Sequence, residues 1–89
     1  SLSSCKYFII ITSKPDEIRE YILKNMHHGA TQTAAVGAFT HENKTMLHTV
    51  CHRSEAMRLR KKIYEIDKYA FVVVTTSSEI IGKGFRGVS

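Results

Sequence analysis

Five consecutive apolar residues, Tyr7-Phe8-Ile9-Ile10-Ile11, leave the first element no polar side. Such a run predicts a strand, Lys6 to Thr12, covered on both faces. The period then changes. Ile18, Tyr21, Ile22 and Met26 recur at spacings of three and four, the buried stripe of a helix. Ser13 suits its cap, Pro15 its first turn, and Asp16 and Glu17 the positive end of its dipole. Gly29 is read as the left-handed residue that closes it. Thr31 to Phe39 follows as a second strand of mostly small side chains, interrupted at Gly37 by an expected bulge. Small side chains on a strand leave room for a ligand, another backbone or another subunit. His41-Glu42-Asn43-Lys44 reads as a turn, and Thr45 to His52 as a third strand. Leu47, Thr49 and Cys51 share one of its faces, Met46, His48 and Val50 the other. Ser54 and Glu55 open a second helix with the stripe Ala56, Leu59, Ile63 and Ile66, ended by Asp67-Lys68. Ala70 to Thr76 is a fourth strand, dense in β-branched residues, and Ser77 to Ser89 is a tail.

The order is βαββαβ. Right-handed crossovers make it an α+β, ferredoxin-like sandwich: a four-stranded antiparallel sheet with two helices on one face. One domain is expected from residue 6 to 85. Residues 1–5 are read as a linker or cloning remnant and 86–89 as a C-terminal tail. Two helices cover only one face of such a sheet, yet the first and fourth strands are apolar on both. The other face is therefore expected to be buried by self-association into a dimer or trimer.

Composition adds little to this pattern except charge. Thirteen Lys and Arg against eight Asp and Glu leave a net charge of +5, which favours anionic partners. Two cysteines in 89 residues, Cys5 and Cys51, make no disulfide framework and suit a reducing compartment. The run Tyr7 to Ile11 is far too short to cross a bilayer, and no signal peptide is recognisable. A chain that starts at Ser reads as a fragment of something longer.

Reaction chemistry is not expected. Cys51 has histidines nearby but no obvious orienting carboxylate, and Asp16, Glu17, Glu55 and Asp67 sit at helix ends with structural work to do. His48 and His52 share a strand face about 13 Å apart, too far for one ion, and Cys51 points the other way. No catalytic residue, metal site or cofactor is therefore assigned. An RNA-recognition module shares the element order, but it stacks bases on aromatics of its two central strands. The third strand here has none, so nucleic acid is disfavoured as a partner.

Several short patterns occur in a fixed order: Ser13-Lys14-Pro15-Asp16-Glu17-Ile18, Gly29-Ala30-Thr31, Gly37-Ala38-Phe39-Thr40, Ile66-Asp67 before Ala70-Phe71-Val72-Val73-Val74, and Glu79-Ile80-Ile81-Gly82-Lys83-Gly84-Phe85. Together they resemble the C-terminal cytosolic domain of YitT-type bacterial membrane proteins, a domain of unknown function that is similar in fold to PII-type nitrogen regulators. Phe39 stands where Tyr is frequent, and Lys83 where the family spacer is usually acidic. The resemblance implies a regulatory domain on the cytoplasmic face of the membrane, behind N-terminal transmembrane helices of its own chain, and a trimer that buries the open sheet face. The glycine patterns make the candidate ligand site, for a small anion such as a nucleotide held between subunits. Its residues are Gly29, Thr31, Gly37, Phe39, Thr40, Gly82, Lys83, Gly84 and Phe85. The rival reading is a purely structural oligomerisation module.

Overall fold

The computed structural model describes residues 4–82. Lys83, Gly84 and Phe85 of the expected site lie outside the described residues. The elements are β1 (Cys5–Thr12), α1 (Pro15–Glu20) continuing as a π-helical turn (Tyr21–Asn25), β2 (Thr31–Val36), β3 (Asn43–His52), α2 (Ala56–Ile66) after a 3-10 turn, and β4 (Phe71–Ser77). All pairs are antiparallel, and the sheet order is β2-β3-β1-β4. The expected α+β sandwich is present. β1 takes in Cys5, which the sequence reading left with the segment before the domain.

The register sorts the side chains. Phe8 pairs with Thr49 and Val74, and Ile10 with Leu47 and Val72, so this parity faces the helices. Phe8, Ile10, Leu47 and Cys51 are fully buried against Ile18, Ile22, Leu59 and Ile63. Each such apolar side chain contributes about 1.5–3 kcal/mol by leaving water. The opposite parity carries Tyr7, Ile9, Ile11, Met46, Val50, Phe71 and Val73. No helix among the described residues covers it, and Phe71 and Val73 are exposed.

Three local expectations fail for identifiable reasons. The left-handed residue after α1 is His27 (φ 59°), not Gly29. The switch to π spacing, with Met26 N–H bonded to the Tyr21 carbonyl, ends the helix before Gly29 is reached. β2 stops at Val36, so Gly37 begins the hairpin loop instead of forming a bulge, and Phe39 is exposed at the tip. There the Gly37 N–H bonds the Glu42 carbonyl, the His41 N–H bonds the Gly37 carbonyl, and His41 takes φ 62°. A Cβ on Gly37 would stand 2.6 Å from Thr40 Oγ1, which explains the glycine by packing within the loop. Ser13 does not cap α1; the N-cap residue is Lys14, and the Ser13 hydroxyl accepts from Lys44 Nζ.

The far end of α2 is fixed by a buried carboxylate. Asp67 Oδ2 accepts the Thr12 hydroxyl at 2.6 Å, and Oδ1 accepts the Tyr69 N–H at 3.0 Å. Burial pushes this carboxyl up, but the bonds from Thr12, Tyr69 and the Ser13 backbone, with the Lys14 charge, outweigh it and hold Asp67 below its ordinary value. A depressed carboxylate contributes stability that is whole above its unfolded pKa and is lost as pH falls through the folded value. Denaturant unfolding followed from neutral pH into acid should show that loss. Asp67→Asn should flatten this limb and cost about 1–3 kcal/mol at neutral pH, because the Thr12 hydroxyl loses its charged acceptor.

Candidate functional site

The pairing places the expected site residues at two ends of the sheet. Thr31 pairs with His48, and Val36 with Asn43. Gly29 and Thr31 therefore lie near the end where β1 begins and β3 and β4 finish, and Gly37, Phe39 and Thr40 at the other, about 17 Å away along six strand residues. Gly82, with φ 155°, adopts a conformation that essentially only glycine holds, just beyond β4 on the opposite edge from β2. Among the described residues, one subunit does not bring the three glycine patterns together.

It does build a hollow at the first end, on the uncovered face. Tyr7, Gly29, Ala30, Thr31, His48 and Val50 enclose about 490 Å³. Tyr7 Oη lies 2.7 Å from His48 Nδ1, and the two rings stack with centroids 6.0 Å apart. The loop wall is fixed from behind, where the Thr49 hydroxyl donates to the Gly29 carbonyl at 2.7 Å. This arrangement offers an aromatic surface, hydroxyls from Tyr7 and Thr31, and exposed backbone. Among the described residues its lining carries no fixed positive charge. A second hollow of about 760 Å³ at the other end is lined by Lys14, Lys44 and Lys68, but also by Glu42, Glu65 and Asp67, so it gains no surplus either.

Beside the first hollow, on the far side of the same loop, sits a polar cluster. His28 Nε2 lies 2.8 Å from Glu55 Oε1, with both side chains largely buried, and the same oxygen accepts the His52 N–H at 2.8 Å. In return the Glu55 N–H bonds the His52 side chain, a reciprocal helix cap. The His28 and His52 rings are 5.4 Å apart. The donor atoms of His28, His52 and Glu55 all lie within 4.8 Å of one another. Burial pushes the Glu55 carboxyl up, but its bonds from His28 and the His52 backbone, with the charges of both rings, hold it below its ordinary value.

Sequence reasoning missed this cluster because it weighed His48 with His52, which share a strand, and not His28 with His52, which meet only through the fold. His52-x-x-Glu55 was the available signal: it is a capping box with histidine in the cap position. Tyr7 of the hollow is read from the sequence as part of a two-faced apolar strand and, with Phe8, as too little for a base-stacking platform, not as a lining residue. Cys51, weighed as a nucleophile, is fully buried, and burial first, then Glu55, pushes its thiol up to about 11. A thiol held protonated is a poor nucleophile at neutral pH.

Comparisons with known proteins agree with this architecture. Residues 28–82 match the family model described as "Uncharacterized protein conserved in bacteria (DUF2179)". The chain is 40% identical over 74 residues to UPF0750 membrane protein YitT of Bacillus subtilis (strain 168), covering 83% of this chain and 26% of that one. It spans about a quarter to just over half the length of the curated relatives it matches. Among solved structures, a DUF2179 protein from Eubacterium ventriosum superposes with TM-score 0.65 at 24% identity, covering 80% of this chain and 97% of that one. A nitrogen regulatory PII-like protein from Thiomonas intermedia, solved with ADP, AMP and bicarbonate, superposes with TM-score 0.59 at 15% identity, over 88% and 97%. The fold is thus PII-like. No helix among the described residues is long and apolar enough to cross a membrane.

The Glu55 arrangement can be tested directly. His28→Ala removes a hydrogen bond that holds the carboxyl down, so Glu55 should titrate higher by carboxyl NMR. The domain should lose about 1–3 kcal/mol at neutral pH, the cost of a buried polar group left without its partner.

Proposed function

This chain belongs to the DUF2179 family, and on that footing we propose that it is the cytosolic regulatory domain of an integral membrane protein, self-associating and holding a small anionic ligand where subunits meet. The observation that carries this reading is the uncovered sheet face. Ile9, Ile11, Met46, Val50, Phe71 and Val73 form one apolar surface across three strands, and exposed surfaces of this kind mark interfaces. The membrane context comes from the relatives, which are membrane proteins much longer than this chain.

The hollow supports the position of the ligand. Lined by Tyr7, Gly29, Thr31 and His48, it lies on the open face, where a second subunit would close it. Lacking a cation of its own, it needs one from a neighbour. The tail Gly82-Lys83-Gly84-Phe85 supplies the residue types: glycines for close backbone approach to an anion and Lys83 as counter-charge. In the same assembly Gly37, Phe39 and Thr40 meet a different neighbour at the other end of the sheet. The nucleotide-bound PII-like structure makes a nucleotide the leading ligand class. We read the domain as non-catalytic, and the protonated Cys51 thiol supports that. Nucleic-acid binding ranks lower than a ligand-free oligomerisation module, because Phe8 is buried in the core and Tyr7 is left as the aromatic residue of the two central strands on the open face.

Sedimentation velocity of the domain should show a dimer or trimer, and Phe71→Asp or Ile9→Asp should return it to monomer without unfolding it. A wild-type monomer at high micromolar concentration overturns the interface. Nucleotides and metabolite anions should raise the melting temperature, with a ligand at 100 times its Kd adding about 2.7 kcal/mol. Thr31→Val, Lys83→Glu and Gly84→Val should each reduce that gain. Equal stabilisation of all four proteins places the site elsewhere, and no stabilisation across the panel favours the structural module.

A further inference from the structure

We propose that His28, His52 and Glu55 bind a divalent transition-metal ion of the zinc class. The inference stands on the geometry of this cluster and does not rest on the regulatory reading. Two imidazole nitrogens and one carboxylate oxygen are the donor set that zinc takes in sites with an open fourth position. The same set suits cobalt, nickel and copper, and disfavours magnesium and calcium, which prefer all-oxygen shells. Metal–ligand bonds of about 2.0–2.2 Å in tetrahedral geometry require donors about 3.3–3.5 Å apart. Here the three donor atoms already lie within 4.8 Å of one another. Ligation would lengthen the 2.8 Å His28–Glu55 contact and draw the wider-spaced donors inward from at most 4.8 Å.

The fold makes the cluster rigid on one side and adjustable on the other. His52 and Glu55 are held three residues apart by reciprocal bonds across one 3-10 turn. His28 comes from the loop after α1, directly behind the left-handed His27. The His28 and Glu55 side chains are 9% and 16% exposed, so solvent reaches the cluster while most of its surroundings are protein. In the metal-free state His28 Nε2 faces Glu55 Oε1 across a hydrogen bond. Metal binding replaces that shared proton: Nε2 presents its lone pair to the ion, and the proton passes to Nδ1 or to water. Affinity therefore falls as pH falls and protons compete for the imidazoles. An ion held here staples the loop from His27 to Ala30 onto the β3–α2 junction. Gly29 and Ala30 of that loop form a wall of the hollow, so metal occupancy and the shape of the hollow are linked.

The same three groups also cap α2, and the experiment must separate capping from ligation. Calorimetric titration of the chain with Zn2+ should give one ion per subunit, with Mg2+ giving none. Co2+ should produce visible ligand-field bands of a four-coordinate site. His28→Gln and Glu55→Gln retain polar groups for the cap, and each should weaken binding by more than about tenfold. His41→Asn, in the hairpin loop at the other end of the sheet, should leave it unchanged. NMR of the wild-type histidines gives a reading independent of variant folding: Zn2+ should move the ring signals of His28 and His52 most and leave that of His41. Absence of Co2+ bands, a cobalt–thiolate charge-transfer band implicating Cys51, shifts confined to other histidines, or affinities unchanged in both variants would each overturn the assignment.

Discussion

The structure depends on one constraint: β1 is hydrogen-bonded on both sides and apolar on both faces. A strand flanked by β3 and β4 cannot turn either row of side chains to an edge. Phe8 and Ile10 are satisfied by the two helices. Ile9 and Ile11 face a surface that no element among the described residues covers. Every later choice follows from this asymmetry. The two helices lie on one side because both crossovers are of the same, right-handed sense. β4 continues the apolar rows outward to an edge, where Phe71 and Val73 are exposed. Among the described residues the sheet therefore keeps an apolar face open to solvent, with Phe71 and Val73 exposed on it.

The second organising feature is the way α2 is held at both ends by carboxylates. At its start, Glu55 joins the cap to His28 from the preceding loop, and the positive end of the helix dipole favours its charge. At its end, Asp67 ties the helix exit to Thr12 at the end of β1, where the dipole opposes a negative charge. Asp67 is stable there because donors surround it, and its depressed titration reports those donors, not the dipole. The two carboxylates fix α2 against both ends of the central strand pair, β3 at one and β1 at the other.

Much of this was legible in the sequence, for reasons that differ by element. Both helical stripes were readable because Ile18, Ile22, Leu59 and Ile63 keep helical spacing and have no competing period. The strand faces were readable because Leu47, Thr49 and Cys51 alternate cleanly. What failed was local and depended on backbone detail. A glycine near a helix end invites the left-handed position, but the π turn consumed the chain early and placed His27 there. Gly37 looked like a bulge because strand-like residues lie on both sides of it, although the loop between Val36 and Asn43 claims it. The candidate site was legible only in part. Gly29 and Thr31 do border a hollow, but Tyr7 and His48, 41 residues apart, come together through β1–β3 pairing. His28 and Glu55 meet through packing of a loop on a helix start, which no spacing rule encodes.

The loop from His27 to Ala30, with Thr31 opening β2, lies between the polar cluster and the hollow. Successive residues in it serve different masters. His27 absorbs the left-handed turn, and His28 points to the start of α2. Gly29 is held through its carbonyl by Thr49, and Ala30 and Thr31 open onto the uncovered face. A Cβ at Gly29 would meet nothing within 4 Å, so close packing does not require glycine there. The absence of a side chain instead keeps the backbone open to the hollow. Whatever is bound on the helix side of this loop changes the loop's freedom, and whatever is bound on the sheet side meets that changed freedom. Linkage makes such an effect reciprocal. This loop thus has polar contacts on one side, through His28 and Glu55, and borders the open sheet face on the other, while Ala30 packs against the core.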